Sequence, residues 1–222
     1  NCVKVRYENH LKPFIGNKLL DNISVDLLNT IKRDRINFIS KVTINTVLTL
    51  VSTVLNYAKR VLDINVENNI TNGKVKKFKV DNKRERFLSN EEVDLLLENT
   101  KFHTNVDRAC RLSVSTGGRL STVLLVKKKD IDVSNRTVKL IDVKSGGESY
   151  VGYLHPKYFP DFDFLDDLKD NDLVVSHEGK SICYSRYQHI FKKIADPLFN
   201  VGLEKDDRKN RVVFHTLRHT FC

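Results

Sequence analysis

Residues Thr116–Leu154 read TGGRLSTVLLVKKKDIDVSNRTVKLIDVKSGGESYVGYL, and the pattern changes character twice along the way. A helical stretch beginning near Val106 runs into Thr116-Gly117-Gly118-Arg119, and the apolar run Leu120 to Val126 follows. A glycine pair between periodic segments is a turn signal, so Arg119 stands at the head of a new helix. Beyond Asp130-Ile131-Asp132, the segments Thr137 to Val143 and Ser149 to Leu154 alternate weakly around Lys144-Ser145-Gly146-Gly147-Glu148, as two strands joined by a turn do. Helices flanking a single hairpin predict an α+β domain.

Working outward, Ser89 precedes Glu92 by three and leads into Val93, Leu95, Leu96 and Leu97, the signature of a capping box that opens a helix and a domain. Downstream, Tyr187, Ile190, Phe191, Ile194 and Leu198 restore helical spacing within Ile182 to Leu198, and Val212 to Cys222 carries a further helix. Upstream, Ile44, Val47, Leu48, Val51, Val54, Leu55, Ala58, Val61 and Leu62 recur at three and four, the period of an amphipathic helix. Shorter apolar groups around Leu11, Phe14 and Ile15, around Leu27, Leu28 and Ile31, and around Phe38 and Ile39 predict more helices. The expected organisation is an all-helical domain over residues 1–72, a basic linker over 73–86, and a mainly helical domain with a small antiparallel sheet over 87–222.

The 222 residues carry 38 Lys and Arg against 28 Asp and Glu, a formal charge of +10, which points to a polyanionic partner. The linker concentrates that charge in Lys74, Lys76, Lys77, Lys79, Lys83, Arg84 and Arg86, which either track the phosphates of a partner or serve as a merely solvated tether. Cys2, Cys110, Cys183 and Cys222 lie far apart, so neither a zinc site nor a disulfide framework is expected. The most apolar stretch, Val47 to Leu55, is interrupted by Thr49, Ser52 and Thr53, and no membrane span or secretory leader is read. The chain starts at Asn1 and holds no Met, which reads as a piece of a longer protein.

The segment TGGRLSTVLLVKKKDID, Thr116 to Asp132, resembles the first arginine box of tyrosine recombinases of the phage-integrase type. FHTLRHTF, Phe214 to Phe221, resembles their H-x-x-R box, and Lys144 falls where the family bears a lysine on a β-hairpin. The helices before the linker look like the SAM-like core-binding domain that precedes the catalytic domain. The resemblance implies a site-specific DNA recombinase that clamps double-stranded DNA between its domains and cuts one strand at a time through a covalent 3′-phosphotyrosyl link. It implies a homo-tetramer on two duplexes, DNA-bending accessory proteins as further partners, and work in the cytoplasm on the nucleoid. The family's nucleophilic tyrosine follows the H-x-x-R box, so its counterpart is expected beyond Cys222. Two other readings share these residues: a non-catalytic DNA-binding protein that keeps the fold, and a type IB topoisomerase-like enzyme. One departure stands out, because the acidic residue that the family commonly has three after the first arginine is Thr122 here, so that carboxylate is missing or supplied elsewhere.

The chemistry is coherent on its own terms. Attack on a phosphodiester builds negative charge on the non-bridging oxygens of a five-coordinate phosphorus, which two guanidiniums suit, and Arg119 and Arg218 are the candidates. Lys144 is the candidate acid for the leaving 5′ oxygen, and His215 the candidate phosphate ligand or proton acceptor. His219 is a candidate for DNA contact or for packing behind these groups. A phosphotyrosyl link conserves the energy of the broken bond, so neither a metal nor a nucleotide cofactor is called for.

Overall fold

The computed structural model describes residues 2–81, 83–176, 181, 183–204 and 207–221. Ile182, where the expected late helix opens, and Cys222, where the chain ends, lie outside the described residues. The chain divides into two compact units, Asn1–Asp81 and Asn82–Cys222.

The first unit is helical throughout: α1 (Cys2–His10), α2 (Lys12–Ile15), α3 (Val25–Arg35) and α4 (Lys41–Val61). Side-chain oxygens set the starts of the last two. Ser24 accepts the Leu27 N–H and Ser40 the Thr43 N–H, each satisfying a donor that the first helical turn leaves open. The stripe predicted on α4 is the one that packs: Ile44, Val47, Leu48, Val51, Leu55 and Ala58 are buried, together with Leu28 and Ile31 of α3. Phe38 and Ile39 do not form a helix of their own. They occupy the turn between α3 and α4, closed by the Phe38 N–H on the Arg35 carbonyl, because Ser40 caps a new helix immediately after them. Helix α1 buries no residue of its own and so has no apolar stripe from which to read it.

Part of the basic run is docked on this unit. Val75 is buried in its core, and the Asn45 side chain grips the backbone of Phe78 through both its N–H and its carbonyl, at 2.8 and 2.9 Å. Lys32 Nζ donates to the Lys76 carbonyl and lies over the Phe78 ring. Val75 and Phe78 thus hold the backbone down, while the side chains of Lys74, Lys76, Lys77 and Lys79 stay exposed.

The second unit is α+β. Helices α5 (Asn90–Thr100), α6 (Thr104–Thr116), α7 (Leu120–Val123), α8 (Tyr184–Phe199) and α9 (Phe214–Phe221) surround a three-stranded antiparallel sheet in the order β1 (Ile131–Asp132), β2 (Thr137–Asp142), β3 (Glu148–Tyr153). The capping box at Ser89 and Glu92 is formed in both directions. The hairpin pairs Thr137 with Tyr153 through to Asp142 with Glu148, and β2 alternates so that Val138, Leu140 and Asp142 face inward. The core joins Val93, Leu96, Ala109, Leu112, Val138, Leu140, Phe191 and Leu217, which ties both ends of the unit to the sheet. Among the described residues, no helix is long and apolar enough to cross a membrane.

Two glycines allow the close approaches on which this packing depends. Gly117 ends α6 at φ +65°, and a β-carbon there would lie 2.7 Å from the Phe221 ring of α9. Gly152 on β3 faces Thr116 across a gap that an added β-carbon would narrow to 2.7 Å. Replacing Gly117 with Ala therefore combines a left-handed backbone with a ring clash, and the second unit should lose about 2 kcal/mol, read as a lower urea midpoint at unchanged slope.

Candidate active site

Arg119 caps the N-terminal side of α7, directly after the glycine pair. The turn is braced from inside: Ser113 Oγ donates to the Gly118 carbonyl at 2.8 Å, and the Gly118 N–H donates to Thr116 Oγ1 at 3.1 Å. The Arg119 guanidinium pairs with the carboxylate of Asp142, the last residue of β2, which is nearly buried. The other oxygen of Asp142 accepts the backbone N–H of Lys144 at 3.1 Å. One carboxylate thereby fixes both the first arginine and the start of the lysine-bearing turn. Thr122, where the acidic residue was missing, is a buried helix residue, and Asp142 supplies a carboxylate to Arg119 from the sheet instead.

Arg218 arrives from α9. Its Nη1 donates to the Gly117 carbonyl at 2.5 Å, which ties the helix to the same turn that presents Arg119. Tyr150 of β3 accepts a hydrogen bond from Arg218 and feels the charges of Arg119 and Asp142 as well. Partial burial nevertheless pushes the Tyr150 hydroxyl above its ordinary range, against the pull of those arginines. Thr116, Gly117, Asp142, Tyr150, Gly152 and Arg218 line a cleft of about 560 Å³.

His215 lies one turn before Arg218 on α9, with its ring edge-on to His219 at 4.9 Å between centroids. Its affinity for a proton is depressed, first by partial burial and then by His219, Arg84, Arg218 and Arg119. Near neutral pH its imidazole is therefore uncharged and able to accept a proton. Lys144 has its backbone anchored at Asp142, while its side chain is exposed on the short helical turn Val143–Ser145 that links the two strands.

Arg119, Arg218 and His215 thus form one electrostatically coupled group, with the Lys144 turn hung on the same carboxylate. Asp142 and Tyr150 were not picked out in the sequence. The signal for Asp142 was available, since it shares parity with Val138 and Leu140 on a strand whose alternate residues face the core. A carboxylate on a core-facing position requires a partner. Of the remaining basic candidates, Lys74 pairs with Glu67 at 2.6 Å within the first unit, and Arg86 pairs with Glu92 within the second.

The chain belongs to the phage integrase family, whose sequence profile matches residues 86–222. No curated protein sequence matches it. Its fold is similar to that of lambda integrase (75–356), solved as a dimer bound to a COC′ core site, at 13% identity and TM-score 0.76, covering 99% of this chain and 79% of that one. The lambda integrase tetramer bound to a Holliday junction gives 14% identity and TM-score 0.76, with 99% of this chain and 64% of that one covered. The Tn1549 transposon integrase in complex with transposon right end DNA matches at 15% identity and TM-score 0.71, over 100% of this chain and 80% of that one. At such identities the likeness establishes the fold: a unit of helices and a small antiparallel sheet, preceded by a helical unit, as in these integrases.

The depressed proton affinity of His215 has a defined sign in stability. The unfolded chain binds this proton more readily, so the contribution is fully present above the ordinary histidine range and is lost as pH falls through it. The stability difference between the native chain and a His215→Gln variant should therefore shift against the native chain between about pH 7.5 and about pH 5. Urea titrations at the two pH values measure it, and a difference independent of pH contradicts the assignment.

Proposed function

We propose that the protein is a site-specific DNA recombinase that breaks and rejoins strands through a 3′-phosphotyrosyl intermediate. The observation that carries the reading is the meeting of Arg119 and Arg218 beside His215, whose proton affinity burial and these charges depress, with Asp142 and the Gly117 carbonyl bracing the arginines. Two planar guanidiniums in fixed orientation match the non-bridging oxygens of a phosphodiester, and their charge counts most when a fifth oxygen joins the phosphorus. The tyrosine oxygen, from a residue beyond Cys222, forms the new P–O bond as the bond to the 5′ oxygen breaks. His215 takes the tyrosine proton or holds a phosphate oxygen, and Lys144 gives a proton to the departing 5′ oxygen. Because Lys144 sits on an exposed turn, it reaches the leaving group as that turn moves toward bound DNA. Resolution is the reverse step, with a 5′ hydroxyl of the partner strand attacking the phosphotyrosine.

Residues 1–72 serve as the core-binding domain, 73–86 as the connection whose cations follow the backbone, and 87–222 as the catalytic domain. The DNA-bound dimer and tetramer of lambda integrase support a homo-tetramer of this protein on two duplexes of a specific recombination site. DNA-bending accessory proteins and a place on the cytoplasmic nucleoid complete the proposal.

In the complete protein, with its downstream tyrosine, Arg119→Ala or Arg218→Ala should lower covalent adduct formation on a nicked suicide substrate by about 10³-fold or more. Duplex affinity in the same variants should stay within a few-fold, because many phosphate contacts share the binding. Gel shifts run beside the cleavage assay separate the two, and equal losses in both refute the division of labour. Joint replacement of Lys74, Lys76, Lys77 and Lys79 by Gln should weaken binding to any duplex and reduce the slope of log K against log salt by about 0.9 for each phosphate no longer neutralised. An unchanged slope removes that segment from the interface.

A further inference from the structure

Arg84 is a charged residue of the second unit whose position its own described surroundings leave unexplained. The segment that carries it is tied down at two points. The Glu85 N–H donates to the Lys209 carbonyl at 3.3 Å, and the Glu85 carboxylate pairs with Lys209 Nζ at 3.0 Å, on the loop that leads into α9. Three residues on, the Leu88 N–H donates to Thr220 Oγ1 of α9 itself at 3.0 Å. The chain from residue 85 to 88 is thus held along α9, on the helix that carries His215 and Arg218.

The Arg84 side chain runs into that setting half-buried, and its Nη1 is buried with no hydrogen-bond partner among the described residues. The charged neighbour that acts on it is another cation, Arg208. At His215 its charge is felt more strongly than that of Arg218 or Arg119. A guanidinium with a dry, unpaired nitrogen, placed against like charges, costs the folded chain stability, and such an arrangement persists where an anion completes it. The paired cation of the same segment, Arg86, shows the contrast, for it is satisfied by Glu92 and by the Phe87 carbonyl.

We infer that Arg84 is a third guanidinium of the phosphate site and shares with His215 the DNA phosphate held there. The inference deepens the recombinase reading and rests on it for the identity of that phosphate. It sets Arg84 apart from the lysines of the basic run, which lie exposed and serve any phosphate along the duplex. The guanidinium donates to a non-bridging oxygen, so the segment just before the catalytic domain becomes part of the wall around the phosphate.

The test uses the 222-residue chain with inorganic phosphate as the probe and the His215 ring signals in NMR as the readout. Phosphate should shift those signals saturably in the native chain, and Arg84→Gln should weaken that binding about tenfold, with Arg84→Lys falling between. The same Arg84→Gln change should raise the thermal midpoint of the phosphate-free protein by about 2 °C, since it removes an unpaired buried charge. A merely structural arginine gives the opposite sign. Unchanged phosphate binding in Arg84→Gln, with binding abolished in Arg119→Ala, overturns the role of Arg84 and leaves the recombinase reading standing. Weaker binding together with a lower midpoint that Lys does not rescue makes Arg84 a packing residue and also overturns it. If phosphate leaves the native His215 signals unmoved, the phosphate site and this inference fall together.

Discussion

A carboxylate at the end of a strand, Asp142, faces inward with the core residues of β2 and meets the guanidinium that a glycine turn delivers to it. Its second oxygen holds the backbone where the strand gives way to the lysine-bearing turn. The pair is mostly shielded from solvent, so it orients strongly, and removing one partner would leave the other charge buried and unbalanced. Sheet, α7 and hairpin tip therefore share one anchor. The position of Arg119 relative to any phosphate is inherited from the register of β2 against β3.

The second arginine depends on a different constraint, which is crowding. Gly117 and Gly152 have no side chain to give, and the space they leave is filled by Phe221 and Thr116. That close approach lets α9 lie against the end of α6, so that Arg218 reaches the Gly117 carbonyl. The Tyr150 hydroxyl accepts from the same guanidinium. Arg218 is thus oriented by a carbonyl and a phenol, both uncharged, whereas Arg119 is oriented by a carboxylate. Burial and the charges of His219, Arg84, Arg218 and Arg119 depress the proton affinity of His215 beside them, and the cluster carries a positive field into which an anion fits.

Much of this organisation could be read in the chain itself. Alternation on β2 and β3, the three-and-four spacing of α4 and α8, the capping box at Ser89 and the glycine pair before Arg119 are local signals, and local geometry obeyed them. The tyrosine-recombinase pattern was legible because two short boxes, one around Arg119 and one around His215 and Arg218, keep their order over long separation. Helix α1 and the turn at Phe38 and Ile39 were not legible, the first for want of a buried stripe and the second because a serine cap starting the next helix outweighs two apolar side chains.

By itself the sequence determined which residues could carry charge to a phosphate and which backbone elements would bear them, since hydrophobic period, caps and turn residues act within a few positions of one another. Only the tertiary structure decided the pairings: that the carboxylate absent at Thr122 comes from Asp142 on the sheet, that Tyr150 and Gly117 hold Arg218, and that the Arg84 side chain is half-buried where Lys74, Lys76, Lys77 and Lys79 stay exposed. The ion pair of Arg119 joins residues 23 positions apart, and the hydrogen bond of Arg218 joins residues 101 apart. No local pattern encodes such a distance, because the partners meet only after the core has packed and the glycines have let the elements close.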